Sequence, residues 1–121
     1  MKKTKMLKKN YEFRKVLSKG KYYSGKNIEA FILKNNLDYN LLGLAISTKI
    51  AKAVKRNMIK RLIRENYKNC EKTIEYGISI VFLWKKKSNI KNATYTNIKE
   101  DMTLIFDKSG ILIKEENKWK K

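Results

Sequence analysis

The chain has 121 residues, the size of a single domain with one modest core, and its 30 Lys and Arg against 11 Asp and Glu give a formal net charge of +19. With no histidine and one cysteine, His-based triads, His-containing or cysteine-rich metal sites and internal disulfides are all excluded. Apolar residues make up 42%, enough to fold, and so basic a folded body has a polyanion as its expected partner, nucleic acid ahead of an anionic membrane surface.

In chain order, residues 1–9, "MKKTKMLKK", read as a basic N-terminal tail. No uninterrupted apolar stretch with a small-residue cleavage site follows, so they do not read as a secretory signal. Asn10 is placed to cap a helix of about three turns, with Phe13, Val16 and Leu17 on its apolar side and Gly20 at its end. Two strand-like runs follow, Asn27 to Lys34 and Tyr39 to Ser47, and the short polar turn "NNLD" between them predicts an antiparallel hairpin. Their apolar residues are too dense for clean alternation, as in strands covered on both faces.

A helix is predicted from Lys52 to Asn69, with Val54, Met58, Ile59, Leu62 and Ile63 forming a core side at the 3.6-residue period. Lys55 falls near that side, at the helix's frayed start. After Gly77, "ISIVFLW" (Ile78 to Trp84) has the β-branched and aromatic content of a buried strand. Thr94 to Phe106 carries apolar residues at helical spacing, with Thr94 or Thr96 as its cap. Residues 109–121 read as a tail or a short extra strand. The order helix-strand-strand-helix-strand-helix over residues 10–108 predicts one α+β domain, an α/β sandwich. No apolar run approaches the roughly 20 residues that span a bilayer, so no membrane partner is expected and the cytoplasm is the expected location. Cys70, alone, agrees with a reducing compartment and reads as an inert small apolar residue near a helix end.

Charge is concentrated in two blocks. Met1 to Lys26 holds ten basic residues and one acid, Glu12, and Lys49 to Arg64 holds seven basic residues and no acid. Within the second block Lys52, Arg56, Lys60 and Arg64 recur at every fourth position. Like charges at that spacing repel on a helix, where opposite charges would add a few tenths of a kcal/mol. A helix that forgoes this help is expected to have an anionic partner.

Catalytic chemistry is thin. The five glycines are scattered, so no phosphate-cradling loop exists. Glu100 and Asp101 are adjacent, diverge by about 100° on a helix and read as a solvated face. Glu71 and Glu75 sit beside Lys72, near no other candidate ligand. No small-molecule substrate is indicated, and any reaction this chain serves is expected to be performed by something else.

"TKIAKAVKRNMIKRLIREN" resembles the signature of the bacterial ribonuclease P protein subunit, at Lys49, Ala53, Val54, Arg56, Asn57, Lys60, Arg61 and Arg64. The resemblance covers about Leu7 to Phe106. Ala51 stands where that family commonly has glycine, Met58 where it commonly has arginine, and Leu17 where an aromatic is frequent. The resemblance implies a fold like the second domain of ribosomal protein S5, with a left-handed βαβ crossover around the signature. It implies an endoribonuclease of tRNA 5′ maturation in which a catalytic RNA, with bound Mg2+, removes the 5′ leader of precursor tRNA. The protein would contribute no catalytic residue. Lys49, Lys52, Arg56, Asn57, Lys60, Arg61 and Arg64 would meet the catalytic RNA. A cleft at Phe13, Val16, Leu17 and Phe31 would hold the single-stranded leader, with Tyr22 and Tyr23 as weaker candidates.

Two other classes share part of this pattern. A ribosomal protein or general RNA chaperone would share the basic sandwich but not the Arg-Asn and Lys-Arg spacing. A duplex-DNA reader would insert the basic helix into a major groove, which conflicts with the core side predicted for it.

Overall fold

The computed structural model describes residues 3–113. In chain order its elements are β1 (Thr4–Met6), α1 (Asn10–Lys19), β2 (Lys21–Ser24), β3 (Ile28–Lys34), β4 (Asn40–Leu44), α2 (Ala53–Cys70), β5 (Ile78–Trp84) and α3 (Tyr95–Ser109). One five-stranded sheet runs in the order β1-β4-β5-β3-β2. β4 is parallel to β1 and β5, and β3 is antiparallel to β5 and β2. β3 therefore opposes the other four strands, and α2 is the crossover between the adjacent parallel strands β4 and β5. The mixed α+β architecture expected from the sequence is present.

Several local expectations are corrected. β3 and β4 do not form a hairpin, because β5 lies between them. All of β5 except Leu83 is buried, and a strand this apolar takes the centre of the sheet, where both faces and both edges are covered. The β3–β4 connection instead steps over the start of β5, a span of about 10 Å at two strand spacings. Asn35 fastens it, with N–H to Gly77 O at 2.9 Å and Nδ2 to Ser79 Oγ at 3.0 Å. Gly77 has φ +80°, and a Cβ there would lie 3.0 Å from Leu37 O, so only glycine passes beneath the crossing.

Within the segment read as a basic tail, Thr4–Met6 is the edge strand β1, paired with Asn40–Leu42. The helix expected to be capped by Asn10 begins at Asn10 itself. Lys9 precedes it, with its backbone N–H donated to the Glu12 carboxylate at 3.3 Å. Val54, assigned to the core side of α2, is 80% exposed, because α2 starts clear of the sheet and only Ile59, Ile63, Asn66 and Tyr67 are buried along it. Of the segment after Gly110, Leu112 makes an isolated bridge to Ile74; residues 114–121, Trp119 among them, lie outside the described residues.

The sheet is covered on both faces, as the apolar density of its strands implied. Ile28, Ala30, Ile32, Leu42, Leu44, Ile78, Ile80 and Phe82 pack with α2 and α3 residues such as Ile59, Ile63, Ile98 and Phe106 in the main core. Burying an aliphatic side chain of this kind stabilises the fold by about 1.5–3 kcal/mol. Phe31, Leu33, Leu41, Val81 and Leu83 face the other way and pack with Leu7, Phe13, Val16 and Leu17. α1 joins the two edge strands, about 19 Å apart at four strand spacings, and its ten residues span about 15 Å. It therefore crosses the sheet as a single strip and leaves part of that face open. Close contact anchors it: Phe13 rests on Gly43, where a Cβ would be 2.6 Å from Phe13 Cε1.

Thr94 caps α3 as expected, its Oγ1 accepting from Asn97 N–H at 3.2 Å. Asp101 departs from its reading as a solvated residue. It is 4% exposed and accepts the backbone N–H groups of Lys26, Asn27 and Ile28 at 3.0, 2.7 and 3.1 Å. One carboxylate thus holds the whole β2–β3 turn against α3. Asp101→Ala leaves three donors unpaired, each costing about 1–3 kcal/mol where water cannot reach it, and is expected to destabilise the protein by about 3 kcal/mol or more in urea unfolding. A loss below about 1 kcal/mol would show that the turn holds itself.

Candidate nucleic-acid interface

β4 ends at Leu44, and the chain reaches α2 through a loop in which Lys49 N–H donates to Ser47 Oγ and Ile50 N–H to Ser47 O, both at 3.1 Å. That turn leaves Lys49 exposed. Lys52, extended at φ −70° and ψ 165°, is the N-cap residue, and its carbonyl accepts Arg56 N–H at 3.0 Å. Arg56 is half-buried because its guanidinium folds back, with Nη1 donating to Ala51 O at 2.7 Å. Asn57, Arg61 and Arg64 are exposed and Lys60 is half-buried. Lys55, read as lying near the core side, is exposed.

The first turn of α2 contains no acid. Backbone N–H groups at a helix start already carry a partial positive charge, so anions are favoured there and cations are not. Among the described residues no ion pair engages Lys49, Lys52, Lys60, Arg61 or Arg64. The loop and the solvent side of α2 as far as Arg64 are therefore a continuous donor surface with no acid in the run, Glu65 being the first to follow it. The opposite side of the same helix, through Ile59, Ile63 and Tyr67, is completely buried.

The second surface is the open part of the outer sheet face beside α1. Phe13, Leu17 and Phe31 are half-buried there with Leu83 and Ala45, so their rings and methyls reach solvent from a fixed base. Val16 belongs to the same cluster but is only 3% exposed; it seats α1 on the sheet and has no surface to offer a ligand. Tyr22 joins the open part. It pairs with Phe31 across β2 and β3, with ring centroids 5.2 Å apart at 56°. Its hydroxyl donates to Glu29 Oε2 at 2.5 Å, a bond that raises the phenol's pKa. Tyr23 packs on the main core, on the other face. Period-two alternation along "KYYS" separates these two tyrosines, once that segment is known to be a strand. The cleft and the α2 start meet at one end of the sheet, because Ala45 and the crossover loop follow the carboxyl end of β4, and Leu83 lies in the carboxyl end of the parallel β5.

A small α+β domain with a cationic crossover helix on one face of its sheet and an aromatic cleft on the other defines a class of basic single-domain protein with two candidate binding surfaces. Comparison makes the class specific. The family model described as Ribonuclease P matches residues 1–110, and the chain belongs to the ribonuclease P protein family. It is 39% identical over 106 residues to a ribonuclease P protein component of Clostridium botulinum (strain Loch Maree / Type A3), covering 87% of this chain and 94% of that one. A ribonuclease P protein component of Clostridioides difficile (strain 630) is 39% identical over 111 residues, covering 91% and 96%. The RNase P protein structure from Staphylococcus aureus is similar with a TM-score of 0.78 at 27% identity, covering 89% of this chain and 97% of that one. That from Thermotoga maritima gives 0.74 at 25%, covering 84% and 94%.

Cys70, the lone thiol, closes α2 against α3. Its Sγ donates to Tyr67 O at 3.4 Å and lies 3.9 Å from Met102 Sδ, on the wall of a cavity of about 520 Å³ between the two helices. Burial pushes the thiol from 9.0 up to about 11, away from the thiolate that nucleophilic chemistry needs. Because the folded-state value is the higher one, the neutral thiol's contribution to stability is complete below pH 9 and is lost as pH rises through 11. Native protein is expected to react with a thiol-disulfide reagent at pH 8 far more slowly than protein in urea. Cys70→Ala should also flatten the fall in stability between pH 9 and 11. Equal labelling rates in the two states would contradict the assignment.

Proposed function

We propose that this chain is the protein subunit of the ribonuclease P ribonucleoprotein, binding the catalytic RNA and the 5′ leader of precursor tRNA so that the leader is removed endonucleolytically. The observation that carries the proposal is the row of cations from Lys49 to Arg64, held without an ion pair among the described residues on a helix whose other side is locked in the core. Lys49, Lys52, Arg56, Asn57, Lys60, Arg61 and Arg64 are the residues assigned to the catalytic RNA. Arginine's planar fork suits bidentate phosphate contact, and lysine acts as a point charge beside it. Phe13, Leu17 and Phe31, with Tyr22, are assigned to the leader, whose unpaired bases can stack on aromatic faces. Val16 serves that cleft by holding α1 in place.

Among the described residues no three of His, Cys, Asp and Glu come together as a metal-holding group. In this reading Mg2+ belongs mainly to the RNA, which performs the cleavage. The protein acts electrostatically. Two large polyanions repel, and a body of charge +19 placed between them screens that repulsion and releases counterions. No described helix is long and apolar enough to cross a membrane, and the cytoplasm is the proposed location.

Three measurements test the reading. Catalytic RNA alone is expected to cleave precursor tRNA only at raised magnesium, and added protein to restore cleavage at low magnesium; unchanged activity at low magnesium would sink the role. Affinity for the catalytic RNA should fall linearly with log salt, and the double variant Arg56→Ala, Lys60→Ala should flatten that slope by about 1.4–1.8, at about 0.7–0.9 per lost phosphate contact. A slope equal to the unsubstituted protein's would remove these residues from the interface. RNA recovered with the protein should be one abundant structured species; ribosomal RNA in its place would favour the chaperone class.

A further inference from the structure

α1 divides the outer sheet face into two grooves, and only one is taken up by the cleft at Phe13 and Phe31. On the other side of the helix, Tyr11, Glu12, Lys15 and Val16 face Leu33, Leu41 and Ser79 across a recess of about 270 Å³. The register explains the division. Leu33, Ser79 and Leu41 form one row across β3, β5 and β4, and Phe31, Val81 and Gly43 form the next row toward the cleft.

The recess combines an apolar floor with unpaired cations. Leu37, 40% exposed, and Tyr11, 61% exposed, are two of the large apolar side chains this fold leaves in water, and both line it. Most polar groups around them are already engaged. Glu12 accepts the Lys9 backbone N–H at 3.3 Å, Asn35 donates to Ser79 Oγ at 3.0 Å, and Asn35 Oδ1 accepts Leu37 N–H at 2.8 Å. Lys15 and Lys34 are exposed and carry no ion pair among the described residues. The recess thus offers a leucine floor, one aromatic face and two free ammonium groups, the complement of a base carrying a phosphate.

We propose that this recess binds one unpaired nucleotide of the same RNA strand that occupies the cleft, upstream in the leader. Its base lies on Leu33, Leu37 and Leu41 beside Tyr11, and its phosphate lies between Lys15 and Lys34. The two grooves are one helix width apart, about 10 Å. The route between them passes the start of α1, where Lys8 and Lys9 are exposed and Lys9 Nζ lies 5.8 Å from the Tyr11 ring centroid. This inference rests on the cleft's assignment to the leader, so the experiment separates the two.

Binding to the reconstituted holoenzyme is measured for precursor tRNAs with leaders of about six and about twelve nucleotides, within the range of single-strand site sizes. The double variant Tyr11→Ala, Lys15→Ala alters two exposed side chains, and its urea midpoint should match that of the unsubstituted protein. It is expected to weaken binding of the long leader about fivefold and leave the short one unchanged, whereas Phe31→Ala weakens both. Equal affinity for the long leader in variant and unsubstituted protein, or equal weakening of both leaders, overturns the recess as a nucleotide site. If Phe31→Ala changes neither leader, the cleft reading fails by itself. A loss confined to the long leader in the Tyr11, Lys15 variant then still supports the recess.

Discussion

α2 has to satisfy two incompatible environments at once. Ile59, Ile63 and Tyr67 are completely removed from water, while Lys52, Arg61 and Arg64 stand in it, with no acid in the first turn of the helix and only Glu65 beside the two arginines. The apolar side provides the free energy that keeps the helix formed despite repulsion between its cations and the positive end of its own dipole. An isolated peptide of this sequence would lack that support. Because the penalty is absorbed by packing in the core, the charge remains available for a partner, and an anion bound there relieves a strain built into the fold. The same helix is the crossover between β4 and β5, so its start is delivered to the end of the sheet where the cleft opens.

Much of this was legible in the sequence, and the reason differs from element to element. "ISIVFLW" reads as β5 to the residue, since it contains Ile80 to Trp84, the longest uninterrupted apolar run in the sequence, and a strand covered on both faces needs such a run. α3 was legible from Thr94, whose hydroxyl does what a cap requires. Strand pairing was not legible, because a short polar connection between two strands fits a hairpin and a step over a third strand equally well. Only the competition for the central position, won by β5, decides between them. β1 was hidden for a related reason. "TKM" carries no strand pattern of its own and is held by distant partners: Thr4 Oγ1 bonds the Tyr67 hydroxyl at 2.7 Å, and Lys3 N–H meets Glu71 Oε2 at 3.3 Å.

The site divides along the same line. Charge spacing is a local property of one helix and was legible as such; of the four cations it picks out, Lys52 and Arg64 are exposed and Arg56 and Lys60 half-buried. Periodicity alone misplaced Val54, since the first turn of a helix can lie beyond the edge of the surface it packs on. It also could not distinguish Val16, sealed beneath α1, from Phe13 and Leu17, which lie at the cleft's open side. Tyr22 needed the β2–β3 register before its partnership with Phe31 became visible. Asp101 was misread as solvated because its three donors come from a turn more than seventy residues away in sequence.

Residue-by-residue lysine acylation of the free protein and of its complex with the catalytic RNA tests the central claim most directly. The account predicts strong protection of Lys49, Lys52 and Lys60 in the complex, while Lys99 and Lys108 on α3 stay as reactive as in the free protein. Equal protection on α3, or unprotected lysines on the crossover helix, would contradict it.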